Sequence, residues 1–333
     1  MYRPIKDLAG EVCFRPNFWQ TKARINYLIA EYLSQEQLCD RLSDLPRQFK
    51  DPQPRQWSKI NWQDINPDCV VGIDLDIFLS IIKGALDTEA PIRDYTQTSR
   101  QYLEPIHPNM AKFVGGKTGE NGKIIELGLW EKEERQHTPA LLKIYQQLSQ
   151  DKISPQPKIA KPYREKVNPY QDLYQHGLHR IATEYGATCL YIWLMAHSTG
   201  TIQQVLGELL QDEINHLAKF WGMGMWLYPD GREQLISYLL SQINTILPVS
   251  SKSDLESNSN LQSTFQRMMI VLNWQSWSIL SKGELIYTFI WTLKSIWYWS
   301  DRLTPEYLHS CCATPEFFGN NSLECDRPDI IVL

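Results

Sequence analysis

Glu134-Arg135-Gln136-His137 and Glu213-Ile214-Asn215-His216 are two copies of one step, Glu-x-x-His, each set in a stretch of helical periodicity. Residues three apart share a helix face, so each step offers a carboxylate and an imidazole side by side. That pair of groups can grip a divalent metal ion, and two such pairs can grip two ions. One step arises readily among the charges of a solvated helix. Two steps, each accompanied by a Glu on an upstream helix, point to a common site.

Helical signals dominate the chain and strand alternation is scarce, which predicts an all-α protein. A first helix is expected from about Trp19 to Leu45, then a Pro- and Trp-rich connector from Asp51 to Asp68. A second helix is expected over Val70 to Tyr102, kinked at Pro91. The loop after it carries Pro105, Pro108 and the glycines of 115–122. A helix over Lys123 to Ser149 follows, then a long crossover over Asp151 to Asn168. Helices over Tyr170 to His197 and Thr201 to Leu227 are split by Ser198-Thr199-Gly200, and Pro229-Asp230-Gly231 ends the pair. A helix over Arg232 to Ile246, a polar linker over Ser250 to Asn260 and an aromatic helical region over Phe265 to Trp299 come next. The tail from Pro305 has no clear period.

Two antiparallel pairs joined by a long crossover make a ferritin-like four-helix bundle with additional N- and C-terminal helices. The expected organisation is one domain: an N-terminal helix and connector (1–69), a metal-binding core (70–228) and a C-terminal helical extension (229–333).

Bundle sites of this class take one Glu from each of two helices and Glu-x-x-His from each of the other two. In an antiparallel hairpin, residues equally far from the loop lie at one height. Counting back from Glu213 across Ser198-Thr199 reaches Glu184. Counting back from Glu134 reaches the upper eighties to mid-nineties, where Glu89 lies with Asp87 and Asp94 as rivals; Glu104 is too near the loop. The expected metal ligands and catalytic centre are Glu89, Glu134, His137, Glu184, Glu213 and His216. Four ionised carboxylates balance two divalent ions, and without metal they repel one another and resist burial. Oxygen and nitrogen donors suit iron, with manganese as the alternative ion. The competing reading, solvated charges on amphipathic helices, requires four helices to match by accident. His176, His179 and His197 are read as structural or surface residues.

These residues resemble the soluble acyl-carrier-protein desaturases. The stretch Trp130-Glu131-Lys132-Glu133-Glu134-Arg135-Gln136-His137 is similar to their Trp-x-x-Glu-Glu-Asn-Arg-His. Gln211-Asp212-Glu213-Ile214-Asn215-His216 is similar to Ala-Asp-Glu-Lys-Arg-His, and Thr88-Glu89-Ala90-Pro91 to Thr-Glu-Glu-Ala-Leu-Pro, which puts Glu89 in the ligand position. Trp62-Gln63-Asp64-Ile65-Asn66-Pro67-Asp68 resembles a family Trp-Gln segment with two residues missing. The resemblance spans roughly residues 55 to 228. It implies that Trp62 and Asp212 lie near a metal-bound His, with Asp212 fixing the ring. It also implies an oxygen-handling role for Thr188, one place later than in the family's Glu-Arg-Ala-Thr.

The activity so implied is a di-iron desaturase acting on a fatty-acyl thioester. Its partners would be acyl carrier protein or another acyl carrier and a ferredoxin-like electron donor, and a homodimer is implied as well. Hydroxylation, N-oxygenation or oxidative cleavage of another apolar metabolite is the second expectation. A non-catalytic metal-binding bundle is the third.

Composition fits these expectations. The 333-residue chain is 43% hydrophobic and 21% charged, with twelve Trp, sixteen Tyr and net charge −5. A net negative chain without a basic block argues against nucleic acid. The aromatics can fill a core or line an acyl tunnel. The seven cysteines include no Cys-x-x-Cys pair, which predicts a reducing compartment, with Cys311-Cys312 as unpaired thiols. No apolar signal segment stands near Met1, and the most apolar run, Leu285 to Trp299, is shorter than the roughly 20 residues of a membrane span. A cytoplasmic protein without a membrane span is expected.

Overall fold

The computed structural model describes residues 16–156, 163, 168–247 and 264–313. The polar linker over Ser250 to Asn260, much of the crossover and the tail beyond 313 lie outside the described residues. The protein is all-α: among the described residues the only strands are β1 (Lys117–Thr118) and β2 (Ile124–Glu126), one short antiparallel hairpin.

The expected first helix is three helices, α1 (Phe18–Tyr32), α2 (Gln35–Ser43) and α3 (Leu45–Lys50). Asn17 and Gln20 form a reciprocal capping box at the start of α1. Ser34 ends the periodic run by capping α2, and Pro46 opens α3, so the chain restarts twice. The connector that follows contains no α-helix, only short 3-10 turns at Trp62–Asp64 and Pro67–Cys69.

The second expected helix is α4 (Leu75–Glu89) and α5 (Ile92–Leu103), interrupted at Ala90-Pro91, where proline offers no N–H. The expected loop holds a short helix, α6 (Pro108–Gly115), and the hairpin. The third helix begins later than expected, because residues 124–126 pair as a strand. It is α7 (Leu129–Glu134) and α8 (His137–Ser149), broken at Arg135-Gln136. Pro139 accounts for the break: it lacks an N–H for the Arg135 carbonyl, and its ring crowds that carbonyl.

The second pair is continuous. Helices α9 (Pro169–Ala196) and α10 (Gly200–Leu227) are each about 42 Å long at 1.5 Å per residue. Asn168 caps α9 through the amides of Tyr170 and Gln171, with Pro169 in the first turn. Gly200, at φ 56°, turns the chain into α10. Arg24 of α1 clamps this corner, its Nε donating to the Ala196 carbonyl at 2.7 Å.

α9 packs along α10, α4 packs on α8, and α5 meets α7 and α9 while α10 meets α7 and α8. Four helical arms therefore surround one interior. Further helices cover them: α11 (Gly231–Asn244), α12 (Thr264–Val271), α13 (Ile279–Ser300) and α14 (Pro305–Cys312). The aromatic region is helical as expected, but it is split between α12 and α13 around Asn273, which has φ 52°. α14 forms where no period was visible, capped by Thr304 with Pro305 behind it. Among the described residues no helix is long and apolar enough to cross a membrane.

α10 is buried around nearly its whole girth, yet Glu208, Asp212, Glu213, His216 and Lys219 lie within it. Buried charge is costly unless it is paired or metal-bound. The fold therefore concentrates that cost on one helix.

Candidate metal centre

The interior of the four arms brings all six expected ligands together. Glu89, Glu134, His137 and Glu213 form one group, and Glu134, Glu184, Glu213 and His216 form another. Within each group the donor atoms lie within 4.8 Å of one another. Glu134 and Glu213 belong to both groups, so either carboxylate can be shared between two ions. His137 Nδ1 stands 3.3 Å from Glu134 Oε2, 3.3 Å from Glu213 Oε1 and 3.9 Å from Glu89 Oε2. His216 Nδ1 stands 2.9 Å from Glu134 Oε1 and 3.6 Å from Glu184 Oε2.

Helix geometry explains the convergence. Glu184 and Glu213 are nearly equidistant from the α9–α10 turn and so share one level. Glu89 closes α4 and Glu134 closes α7, each immediately before a proline-associated break. The first Glu-x-x-His step therefore spans an interruption, while the second lies in unbroken helix. The rivals of Glu89 lie elsewhere: Asp87 accepts the Gln156 amide, Asp94 is exposed, and Glu104 pairs with Arg100.

The donor atoms have few other partners. His137 Nδ1, His216 Nδ1, Glu184 Oε2 and Glu213 Oε1 are buried and accept or donate no hydrogen bond within the protein. Four such orphans in one cluster are rare, because buried polar atoms are nearly always satisfied. Metal coordination satisfies them together, so the residues fit a binuclear ion pair.

Each imidazole is oriented from behind. His216 Nε2 faces Glu133 Oε2 at 2.9 Å, and His137 Nε2 faces Asp212 Oδ2 at 3.4 Å. A carboxylate at Nε2 keeps the proton there and presents the Nδ1 lone pair to the centre. Trp57 Nε1 donates to Asp212 Oδ2 at 2.8 Å, and its ring centroid lies 6.3 Å from that of His137. Arg55 Nε donates to Asp212 Oδ1 at 2.7 Å, and the Arg55 backbone N–H donates to Glu133 Oε1 at 2.9 Å. Trp130 Nε1 donates to Glu134 Oε1 at 2.9 Å.

Electrostatics bear the mark of crowded carboxylates. Burial and the neighbouring Glu134 charge push Glu89 and Glu213 well above the usual carboxylate range. Burial also disfavours charge on Glu134, but His137 and His216 outweigh it and hold Glu134 well below that range. Burial likewise opposes protonation of the imidazoles. Glu134 overcomes this at His137, and Glu133 with Glu134 does so at His216, so both rings sit well above the ordinary value. Without metal the cluster holds protons in the ions' place.

The tryptophan beside Asp212 is Trp57, not Trp62. Residues 55 and 57 lie in chain that is neither helix nor strand, and both side chains reach Asp212. The 3-10 turn carries Trp62 away, with the Lys143 amine 4.6 Å from its ring centroid. Thr188 is buried one turn beyond Glu184 on α9, and its Oγ1 has no hydrogen-bond partner. His176 meets Ser99 Oγ at 2.8 Å, His197 bridges the Val71 carbonyl and Glu284, and His179 meets Tyr238; none belongs to the cluster.

Glu133, Arg55, Trp57 and Trp130 were not anticipated. Glu133 had a visible signal: it precedes Glu134 as Asp212 precedes Glu213, so both steps read acid-Glu-x-x-His.

No protein-family model, curated protein or solved structure matches the chain.

Proposed function

We propose that the protein is a di-iron oxidoreductase with a ferritin-like four-helix core, using dioxygen and external electrons to oxidise a fatty-acyl chain. The observation carrying this reading is the meeting of six donors on four helical arms, five buried and Glu89 partly so, with four donor atoms lacking a hydrogen-bond partner in the protein. Carboxylates and imidazoles favour iron or manganese over thiolate-seeking ions. When bound, the ion pair supplies the one-electron chemistry that an unactivated C–H bond requires and that side chains lack.

The chain's own residues supply the setting. Asp212 and Glu133 fix the two rings, and Arg55 restrains both acids. The half-buried Trp57 indole, bonded to Asp212, links the surface to His137 and gives electrons from outside a short approach. An apolar cleft between α5, α9, α10 and α11 begins at Ile181 and Phe220, one turn from Glu184 and His216. Such a cleft suits an alkyl chain and keeps water from it.

The resemblance to soluble acyl-carrier-protein desaturases adds the finer reading: desaturation of a chain held as a thioester on acyl carrier protein, with a ferredoxin-like electron donor. The test is turnover by the iron-loaded protein with acyl carrier protein substrates, a ferredoxin reducing system and dioxygen, followed by mass analysis of the acyl chain. Loss of two mass units supports desaturation. A gain of one oxygen shifts the reading to hydroxylation. No change in any acyl chain by an iron-replete protein contradicts it.

A further inference from the structure

Among the described residues Arg180 is the only side chain of fixed charge on the wall of the apolar cleft. Its guanidinium carbon lies 5.3 Å from the Tyr95 ring centroid and 5.9 Å from that of Trp130. Among the described residues no carboxylate pairs with it, and its Nε is buried without a hydrogen-bond partner. Two other arginines near the cleft and the cluster are paired with carboxylates. Arg55 reaches Glu208 and Asp212, and Arg232, which also stacks on a tryptophan, reaches Asp301 at 2.5 Å. A guanidinium without an anion in an apolar cleft is a vacant fork for a planar oxyanion.

Its position matters as much as its charge. Arg180 stands one turn before Glu184 on α9. The indole it lies over is the one that donates to Glu134 Oε1, so a single ring separates the cation from the metal cluster. From there the cleft follows α9 from Ile181 back to Leu173, roughly 12 Å at 1.5 Å per residue. Two glycines leave it open: a β-carbon on Gly177 would meet nothing within 4 Å, and one on Gly224 would lie 3.4 Å from Ile181 Cδ1. Leu227 of α10 and Leu235 of α11 also line it.

We propose that this cleft binds a medium-chain amphiphile with a free carboxylate head, the head on Arg180 and the alkyl tail directed toward Leu173 and Leu235. The inference rests on the di-iron reading only for its consequence: in a substrate so held, the carbons beside the head group lie nearest the ions. Binding itself needs only Arg180 and the apolar walls. The thioester group itself is uncharged and offers Arg180 no oxyanion, so the occupant assigned to this cleft is a free acid, an alternative to the carrier-bound chain of the desaturase reading.

Calorimetric titration of the full chain with decanoate and with decanol tests it, with iron content measured on the same samples. Wild type is expected to bind decanoate roughly tenfold or more tighter than decanol, the margin of a charge-assisted hydrogen bond. Arg180→Gln should erase that preference by weakening decanoate alone, and Arg180→Lys should retain part of it. Gly177→Leu, placed where a side chain meets open space, should weaken both ligands. Equal affinity for the two ligands, undiminished decanoate binding by Arg180→Gln, or no binding of either overturns the assignment. Iron without decanoate binding removes the cleft assignment alone, and decanoate binding without iron removes the di-iron reading alone.

Discussion

Glu133 Oε2 lies 2.9 Å from His216 Nε2, so an acid on α7 orients an imidazole on α10. The reverse holds between Asp212 on α10 and His137 on α8. Each acid precedes the ligand Glu of its own arm and serves the ring of the opposite arm. The two motifs are thus interlocked, and Arg55 touches both acids.

This interlock makes Glu133 separable from the ligands. Glu133→Gln keeps a group that can accept a hydrogen bond at the same place but removes the charge that raises the basicity of His216. Iron affinity should fall roughly 10- to 100-fold, the usual cost of losing a partner behind a ligating imidazole, with helix content unchanged. Chelator competition measures it. Affinity equal to wild type would show that the contact does not tune the centre.

The protonated state of the metal-free cluster gives a pH signature. Glu89 and Glu213 keep protons that an unfolded chain releases above about pH 4.5, and His137 and His216 keep protons it releases above about pH 6.5. A folded state that binds the extra protons loses relative stability as pH rises toward its own pKa values. Glu134 acts in the opposite sense, its contribution fading only as pH falls below about 4.5. Metal-free protein should therefore melt at falling temperature between about pH 5.5 and pH 8. Metal replaces those protons, so the melting shift on iron loading should widen over the same interval. A shift that narrows with rising pH contradicts the assignment.

Much of this was legible in the sequence, for reasons that differ by element. α9 and α10 were visible to within a residue or two because an uninterrupted period runs between clear stops. The mirror count to Glu184 worked because neither helix breaks. The break at Arg135-Gln136 was missed because Pro139 acts four residues upstream of itself, on a carbonyl rather than at its own position. α14 was missed because eight residues give too short a period, although Thr304-Pro305 is a cap-and-first-turn signal. Trp62 was named in place of Trp57 because the resemblance rests on a Trp-Gln segment with two residues missing, and such a match does not show which tryptophan the fold brings to Asp212.

Lys219 gives a further test away from the ligands. Its amine is fully buried, pairs with Asp44 Oδ1 at 2.8 Å and donates to Asn215, which in turn reaches Glu133 Oε2 at 3.3 Å. Asp44 is about a quarter exposed, with 27% of its side-chain surface accessible, and its Oδ2 accepts from Gln48 Nε2 at 3.2 Å, so the carboxylate keeps a partner if the lysine is lost. Asp44→Ala instead strands a buried cation, a change that costs on the order of 3–5 kcal/mol. Urea unfolding should show Asp44→Ala as clearly more destabilising than Lys219→Met. The reverse order would mean that the amine is already neutral in the folded protein.

The central claim is that Glu134 and its five companions enclose two ions. The most direct measurement is iron per chain after anaerobic loading, taken with the optical spectrum after oxidation, for wild type and Glu134→Ala. About two irons per chain with an oxo-bridged ferric absorption in wild type, both lost in the variant that removes one of the two carboxylates common to the groups, is the predicted result. Less than one iron per chain in wild type, or equal loading by Glu134→Ala, would contradict it.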